Sequence, residues 1–198
     1  MASIITLTGP AHCGKSTIRD MIIELRTNSF KPVKFTKFTT RAERKNDDDV
    51  ECVPRIPSRC DIVYEQYGVR YGLCMDDLYS HLEKGETPIV VLNDVRAVED
   101  VRNALGPQVY SLFLYRKPAN LEDFKKEEQQ RAVNDTSKED IDRIAKTRFE
   151  KANAIYRIYI ENIHLFDSVI LNVSSYDTTK EQVKNIVAKL SKKAEGLK

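Results

Sequence analysis

The chain has 198 residues, a formal net charge of +2 and 41% hydrophobic residues. This length is sufficient for one domain with a buried core, and the nearly balanced charge gives no support for nucleic-acid binding or for an anionic membrane surface. No apolar run approaches the length of a membrane span, and the start lacks the features of a signal peptide, so we expect no membrane association. The four cysteines form no C-x-x-C pair, which favours free thiols over a zinc site. Free thiols in turn predict a cytoplasmic location.

A glycine-containing segment connects the first predicted strand to the first predicted helix. Residues 4–8 are β-branched or apolar and predict a strand, and apolar residues at helical spacing begin at Ile18. Between them stand Gly9, Pro10, Ala11, His12, Cys13, Gly14, Lys15, Ser16 and Thr17. A strand, the pattern Gly-x-x-x-x-Gly-Lys-Ser and a helix together form the context of a phosphate-binding P-loop. The alternative is a glycine-rich turn that matches the pattern by chance.

The chemistry of a P-loop explains this spacing. Successive backbone N–H groups form a nest for an anion, and the first turn of the helix adds unpaired N–H groups. We expect Lys15 to contact the β- and γ-phosphates of ATP and the Ser16 hydroxyl to bind Mg²⁺. The same nest would favour the thiolate form of Cys13, which predicts a reactive cysteine.

The next segments contain residues suited to phosphate and to planar ligands. Residues 33–40 alternate apolar and polar side chains and predict one strand, followed by Arg41 and Arg44. Forked guanidinium groups suit a phosphate or a carboxylate, and a solvated basic turn fits equally well. Residues 45–60 predict an irregular loop, and residues 62–72 predict a hairpin that turns at Gly68. The tyrosines of this hairpin either pack in the core or contact a planar ligand.

An acidic residue follows a buried strand in the middle of the chain. A helix over 75–84 ends at Gly85, and the apolar run 88–92 predicts a parallel strand that leads to Asp94. Ligands bind at the carboxyl ends of strands in open α/β sheets. We therefore expect Asp94 to orient Mg²⁺-bound water or to contact substrate, the alternative being an N-cap of the next helix.

The remaining segments complete an alternation of strands and helices. Residues 109–114 predict a strand, an exposed helix begins at Asn120, and a long helix covers about 139–163. A last strand covers 166–172, and a final helix begins near Thr179. The alternation predicts an α/β fold of the three-layer P-loop NTPase type, with a parallel sheet and helices on both faces.

In this order, the segments resemble the guanylate kinase family of P-loop nucleoside monophosphate kinases. The matching segments are the P-loop, Thr39-Thr40-Arg41 with Arg44, Tyr71-Gly72, residues 92–97 and residues 166–172. The resemblance implies one domain over 1–198, with an acceptor-binding excursion at about 36–74 and a helical lid at about 118–147. It also implies ATP and Mg²⁺ as cofactors, and a monomer or homodimer.

The activity that the resemblance implies is transfer of the γ-phosphate of ATP to a phosphorylated acceptor, most simply a nucleoside monophosphate such as GMP or dGMP. The residues that it places at the acceptor are Lys37, Thr39, Arg41, Arg44, Tyr71 and Asp94. It assigns catalysis to Lys15, Arg131 and Arg148, and the metal to Ser16 and Asp94.

The chain departs from the family pattern where the acceptor is recognised. Lys37 stands where the family has a serine, and the glutamate that reads guanine has no clear counterpart near Asp61, Ile62 or Glu65. The lid also contains fewer arginines. These departures leave two alternatives, a kinase for a phosphorylated sugar or modified nucleotide, and an inactive guanylate-kinase-like binding module. The intact Gly14-Lys15-Ser16 argues against the inactive module.

Overall fold

The computed structural model describes residues 4–10, 13–43, 48–66, 68–116, 120–131, 137–172 and 175–195. The elements in chain order are β1 (Ile4–Thr8), α1 (Lys15–Glu24), β2 (Pro32–Lys34), β3 (Lys37–Thr39), β4 (Val50–Cys52), β5 (Ile62–Gln66), β6 (Val69–Leu73), α2 (Met75–Glu83), β7 (Thr87–Leu92), α3 (Val95–Leu105), β8 (Val109–Tyr115), α4 (Leu121–Arg131), α5 (Lys138–Glu161), β9 (Ser168–Leu171) and α6 (Tyr176–Glu195).

The main sheet has five parallel strands in the order β2-β7-β1-β8-β9. Its central strands β1 and β7 are buried along their whole length, as their apolar runs predict. Helices α1 and α6 pack against the face that contains Ile5 and Leu7, and α2 and α3 pack in the cluster that contains Ile4 and Val90. The predicted parallel sheet with helices on both faces is therefore confirmed.

A second sheet of four strands, in the order β4-β3-β6-β5, contains the predicted hairpin. The single strand predicted over 33–40 is wrong, because the chain changes sheets within it. β2 pairs with β7 up to Lys34, and Phe35 then buries its side chain while its N–H bonds to Ile89 O. β3 pairs instead with β4 and β6. Strand β4 lies in the segment predicted to be irregular, since three residues are too few to show a period.

Helices α4 and α5 pack against each other. The prediction that α4 is exposed is correct for one face of the helix only. Glu122 and Lys126 are exposed, whereas Phe124 and Glu128 are buried and Phe124 packs with Ala145 and Phe149 of α5. Helix α6 begins three residues before the predicted start. None of the helices in the described ranges is both long and apolar enough to cross a bilayer.

Candidate active site

The loop between β1 and α1 has the backbone geometry that its glycines predict. Gly14 adopts φ 94°, a left-handed conformation, and Ile18 N–H donates to Gly14 O to begin the helix. At Gly9 a Cβ atom would lie 2.6 Å from Cys13 Sγ and 2.9 Å from Leu114 O, so only glycine fits between the loop and β8. Two predicted loop residues, Ala11 and His12, lie outside the described residues.

Lys15 folds back over this loop. Its Nζ donates to Gly9 O at 2.8 Å and to Pro10 O at 2.7 Å. The ammonium group therefore lies within the loop, where an anion bound to the backbone N–H groups would meet it. Ser16 and Thr17 are exposed in the first turn of α1, which leaves the Ser16 hydroxyl accessible to solvent.

The prediction that Cys13 is a reactive thiolate is wrong. Its side chain is buried, and burial raises the pKa of the thiol against the smaller opposing effects of Lys15 and Arg116. A buried, protonated thiol reacts slowly. Cys13 therefore packs beneath the loop, and all four cysteines are free thiols.

Asn172, at the end of β9, supports the loop from a distant part of the sequence. Its Nδ2 donates to Cys13 O at 2.9 Å, and Thr179 of α6 donates to its Oδ1 at 3.4 Å. Asn172 ends one of the segments that resemble the family, but no role follows from that resemblance. The available signal was a short polar residue directly after a parallel strand, because ligands bind at the carboxyl ends of the strands in such sheets.

Lys37 lies between the two sheets. Its side chain is 3% exposed, and its Nζ donates to Val91 O at 2.6 Å and lies 3.5 Å from Asp49 Oδ2. Burial lowers the pKa of Lys37 against the opposing effect of Asp49, and the positive charges of Lys15 and Arg41 lower it further. The structure thus brings the P-loop lysine and the arginine after β3 within electrostatic range of Lys37.

The other predicted acceptor residues lie on the second sheet. Thr39 pairs with Tyr71 across β3 and β6, and Tyr71 lies with its ring centroid 5.9 Å from Lys37 Nζ. Thr39 Oγ1 accepts from Arg41 N–H at 3.4 Å, and Arg41 Nη1 donates to Ala42 O at 3.1 Å. Arg44 lies outside the described residues.

Asp94 performs the capping role that the sequence left as an alternative. Its Oδ1 accepts from Ala97 N–H at 3.0 Å at the start of α3. The described residues contain no cluster of three or more His, Cys, Asp or Glu that could bind a metal by itself. An accessible hydroxyl at Ser16 and a carboxylate at Asp94 nevertheless are hard oxygen donors, which fit Mg²⁺ shared with phosphate oxygens.

Of the two predicted lid arginines, the structure describes the side chain of Arg148 only. Arg148 of α5 forms an ion pair with Glu128 of α4, which holds the two helices together. Arg131 ends α4, and its side chain lies outside the described residues. Arg116, which no motif indicated, follows β8 close enough to Cys13 to influence its pKa.

Comparison with known proteins finds guanylate kinases among the similar sequences and the similar structures. The sequence is 25% identical to a guanylate kinase of Anaplasma phagocytophilum (strain HZ) over 194 residues, which cover 93% of this chain and 85% of that protein. The fold is similar to the crystal structure of guanylate kinase from Anaplasma phagocytophilum, with a TM-score of 0.64 and 20% identity over 96% of this chain and 86% of that chain.

A crystal structure of an uncharacterized protein from Eubacterium ventriosum aligns with 96% of this chain and 99% of that chain, at a TM-score of 0.47 and 12% identity. No protein-family model matches the chain. Similarity in sequence along almost the whole chain, together with the similar fold, confirms the resemblance first seen in the motifs. The chain is thus similar to a guanylate kinase over almost its whole length, and it has a P-loop NTPase fold.

Proposed function

We propose that the chain is a nucleoside monophosphate kinase-like phosphotransferase, which transfers the γ-phosphate of ATP to a phosphorylated acceptor, with GMP and dGMP as the first candidates. One observation carries this proposal. Lys37, between the two sheets, donates to Val91 O of the main sheet and lies 5.9 Å from the Tyr71 ring of the second sheet, and Lys15 and Arg41 are both close enough to lower its pKa. The loop proposed to bind the donor is therefore a neighbour of the strands proposed to bind the acceptor. The similarity to a guanylate kinase over 93% of the chain supports the same activity.

The donor half of the mechanism uses the loop and the start of α1. The N–H groups of the loop hold the phosphates of ATP, and the Lys15 ammonium exchanges the Gly9 and Pro10 carbonyls for the β- and γ-phosphate oxygens. Ser16 and Asp94 are the residues that would hold Mg²⁺. When bound, the ion neutralises charge on the phosphates during transfer.

The acceptor half uses the second sheet. Arg41, Arg44 and Thr39 bind the acceptor phosphate, and Tyr71 packs beside it, so that the attacking oxygen lies in line with the γ-phosphate. We propose that the segment 36–74 is the acceptor-binding unit and that α4 and α5 form the lid. Lid closure would bring Arg131 and Arg148 over the transferring group and exclude water, which otherwise hydrolyses ATP.

The proposal is tested by following ADP formation from Mg²⁺-ATP with a panel of acceptors. The panel contains GMP, dGMP, the other ribo- and deoxyribonucleoside monophosphates, and ribose bisphosphate. We expect turnover with one class of acceptor and loss of a hundredfold or more in kcat for Lys15→Ala, about 3 kcal/mol, because Lys15 supplies charge at the transferring phosphoryl group. The variant should keep the far-UV circular dichroism of the native chain. Full activity in Lys15→Ala would exclude the P-loop as the donor site.

A phosphorylated sugar or a modified nucleotide is the second candidate acceptor. Ile62, near the position of the family's guanine-reading acid, is 7% exposed and pairs with Leu73 in the core. An apolar pair cannot accept hydrogen bonds from a purine edge. Turnover with ribose bisphosphate alone would select this candidate, and absence of both turnover and ATP binding would indicate an inactive binding module.

A further inference from the structure

Three buried side-chain oxygens stand without a hydrogen-bond partner in the part of the chain that the structure describes. They are Thr8 Oγ1, Tyr64 OH and Asn93 Oδ1. Leaving such a group unpaired costs about 1–3 kcal/mol, and each case in a native protein requires an explanation. A ligand that supplies the missing partner is one such explanation.

Thr8 and Asn93 lie at the carboxyl end of the main sheet, and Tyr64 lies on a strand of the second sheet that contacts Asn93 through Gln66. Thr8 ends β1 in register with Leu92, so Thr8 and Asn93 lie at the carboxyl ends of two hydrogen-bonded strands. The carbonyl oxygen of Asn93 accepts from Gln66 Nε2 at 2.7 Å and from Tyr159 OH at 2.7 Å. Gln66 and Tyr64 project from the same face of β5, since they are two residues apart.

Tyr64 is next to a residue already assigned to the acceptor. Its ring stacks on Tyr71, with the centroids 5.2 Å apart and the planes 16° from parallel, and its side chain is 8% exposed. Burial raises the pKa of Tyr64 well above its usual value, and Tyr71 and Asp94 raise it further. The hydroxyl therefore stays protonated and can both donate and accept a hydrogen bond.

The groups around this hydroxyl define the chemistry of the ligand. Asn93 Oδ1 is an acceptor only, and Asp94 presents a carboxylate close enough to act on Tyr64. An oxygen-rich wall of this kind binds groups that donate hydrogen bonds, and sugar hydroxyl groups both donate and accept.

We propose that Tyr64 is a specificity-determining residue that hydrogen-bonds a hydroxyl group on the sugar of the phosphorylated acceptor, with Asn93 Oδ1 as the second contact. This inference rests on the proposed function and names the part of the acceptor that is recognised. The sugar belongs either to a nucleotide or to a sugar phosphate, and the experiment below distinguishes the two.

The test is Tyr64→Phe, which removes the hydroxyl and keeps the ring that stacks on Tyr71. Without ligand, the variant should melt about 2–4 °C higher, because a buried polar atom without a partner is removed. With ligand, the KM for the acceptor should rise about five- to tenfold while the KM for ATP is unchanged. Tyr79→Phe, at a tyrosine that is 43% exposed on α2, is the matched control and should change neither quantity.

The acceptor panel identifies the sugar. An increase in KM for GMP that is absent for dGMP assigns the contact to the 2′-hydroxyl, and equal increases assign it to the 3′-hydroxyl. An increase seen only with ribose bisphosphate assigns it to a sugar phosphate. Each of these results supports the proposal.

Other results would overturn it. A lower melting temperature for Tyr64→Phe would show that the hydroxyl already has a partner in the protein, and an unchanged acceptor KM would show that it contacts no substrate. If the native chain turns over no acceptor, the proposed function fails, and the acceptors are then compared by the thermal shift that each produces. A smaller shift in Tyr64→Phe than in the native chain supports recognition by Tyr64, and equal or absent shifts exclude it.

Discussion

Lys37 lies on β3 of the second sheet, but its side chain hydrogen-bonds to β7 of the main sheet. β2 ends at Lys34, and its next N–H, that of Phe35, bonds to Ile89 O. Val91 is two residues further along β7, so its carbonyl oxygen points to the same side of the strand as Ile89 O. It accepts a hydrogen bond from Lys37 Nζ at 2.6 Å. The lysine thus donates a hydrogen bond to a main-sheet carbonyl at the point where the chain changes sheets, and its buried amino group lies between the two sheets.

The pKa of Lys37, lowered from 10.5, gives the folded protein a defined response to pH. Between the lowered pKa and 10.5 the unfolded chain holds a proton that the folded protein releases, so the free energy of unfolding rises with pH in this window, by up to about 1.4 kcal/mol per pH unit. We expect the native chain to gain stability relative to Lys37→Met as the pH rises from the lowered pKa of Lys37 towards 10.5.

Urea unfolding at several pH values measures this difference. Lys34→Met, which removes a partly exposed ammonium from neighbouring β2, is the matched control for the loss of a lysine. A constant difference between the native chain and Lys37→Met across the pH range would show that Lys37 does not titrate as a buried group.

Among the elements, α5 contacts the main sheet through tyrosines, and Tyr156 is the one that binds the end of β8. The Tyr156 hydroxyl donates to Arg116 O and accepts from Arg116 N–H, so it pairs both backbone groups of the residue that follows β8. Burial raises the pKa of Tyr156 to about 12, which keeps the donor in place. This contact fixes the long helix of the proposed lid against the strand beside the P-loop.

Tyr156→Phe should therefore destabilise the protein by about 1–2 kcal/mol, because both Arg116 backbone groups lose a partner. Chemical unfolding followed by circular dichroism measures this loss. Tyr176→Phe removes a hydroxyl from a side chain that is 55% exposed, and it should change stability by less than about 0.5 kcal/mol. Equal effects of the two substitutions would contradict the role given to Tyr156.

The sequence predicted the elements whose pattern is local. The P-loop, the buried strand before Asp94 and the hairpin that turns at Gly68 follow from short motifs and from runs of apolar residues. The change of sheet after Lys34 could not be predicted, because alternation shows that residues are extended but does not show which sheet they join. The supporting contact of Asn172 and the unpaired hydroxyl of Tyr64 depend on residues far apart in sequence, which no local pattern connects.

At the scale of the whole molecule, an acidic segment joins the second sheet to the first. Asp48 forms a bidentate ion pair with Arg19 of α1, with both N–O distances at 2.7 Å, and a further ion pair with Lys34 of β2. Arg19 is 1% exposed, so its charge depends on this partner and on Asp20. Asp48, which lies in the segment 45–60 that was predicted to be an irregular loop, therefore anchors the proposed acceptor-binding unit to the core.

Asp48→Asn should lower stability at neutral pH by about 1 kcal/mol, a modest loss because the Asp48 side chain is 43% exposed. Burial tends to raise the pKa of Asp48. The hydrogen bonds from Arg19 and Lys34 have the larger effect, so the pKa of Asp48 is lowered from 3.8. The stabilisation is thus present above pH 3.8 and disappears as the pH falls through the lowered pKa, where the variant and the native chain should become equally stable.

Thermal unfolding between neutral and acidic pH checks this expectation. Asp77→Asn is the control, since Asp77 pairs with Arg59 on the surface and both side chains are 40% or more exposed. A difference between Asp48→Asn and the native chain that persists undiminished in acid would show that the ion pairs are not its cause.

The four strands between Lys37 and Leu73 leave and rejoin the main sheet through β2 and β7, which are hydrogen-bonded neighbours at one edge of that sheet. The whole segment is therefore an insertion with closely spaced ends, and the order of the five parallel strands does not depend on its content. Residues such as Lys37, Ile62 and Tyr64 lie in this insertion, so they can change during evolution while the loop proposed to bind the phosphate donor keeps its shape. Under the proposed function, the acceptor specificity of such a chain can therefore diverge while its phosphate donor stays the same.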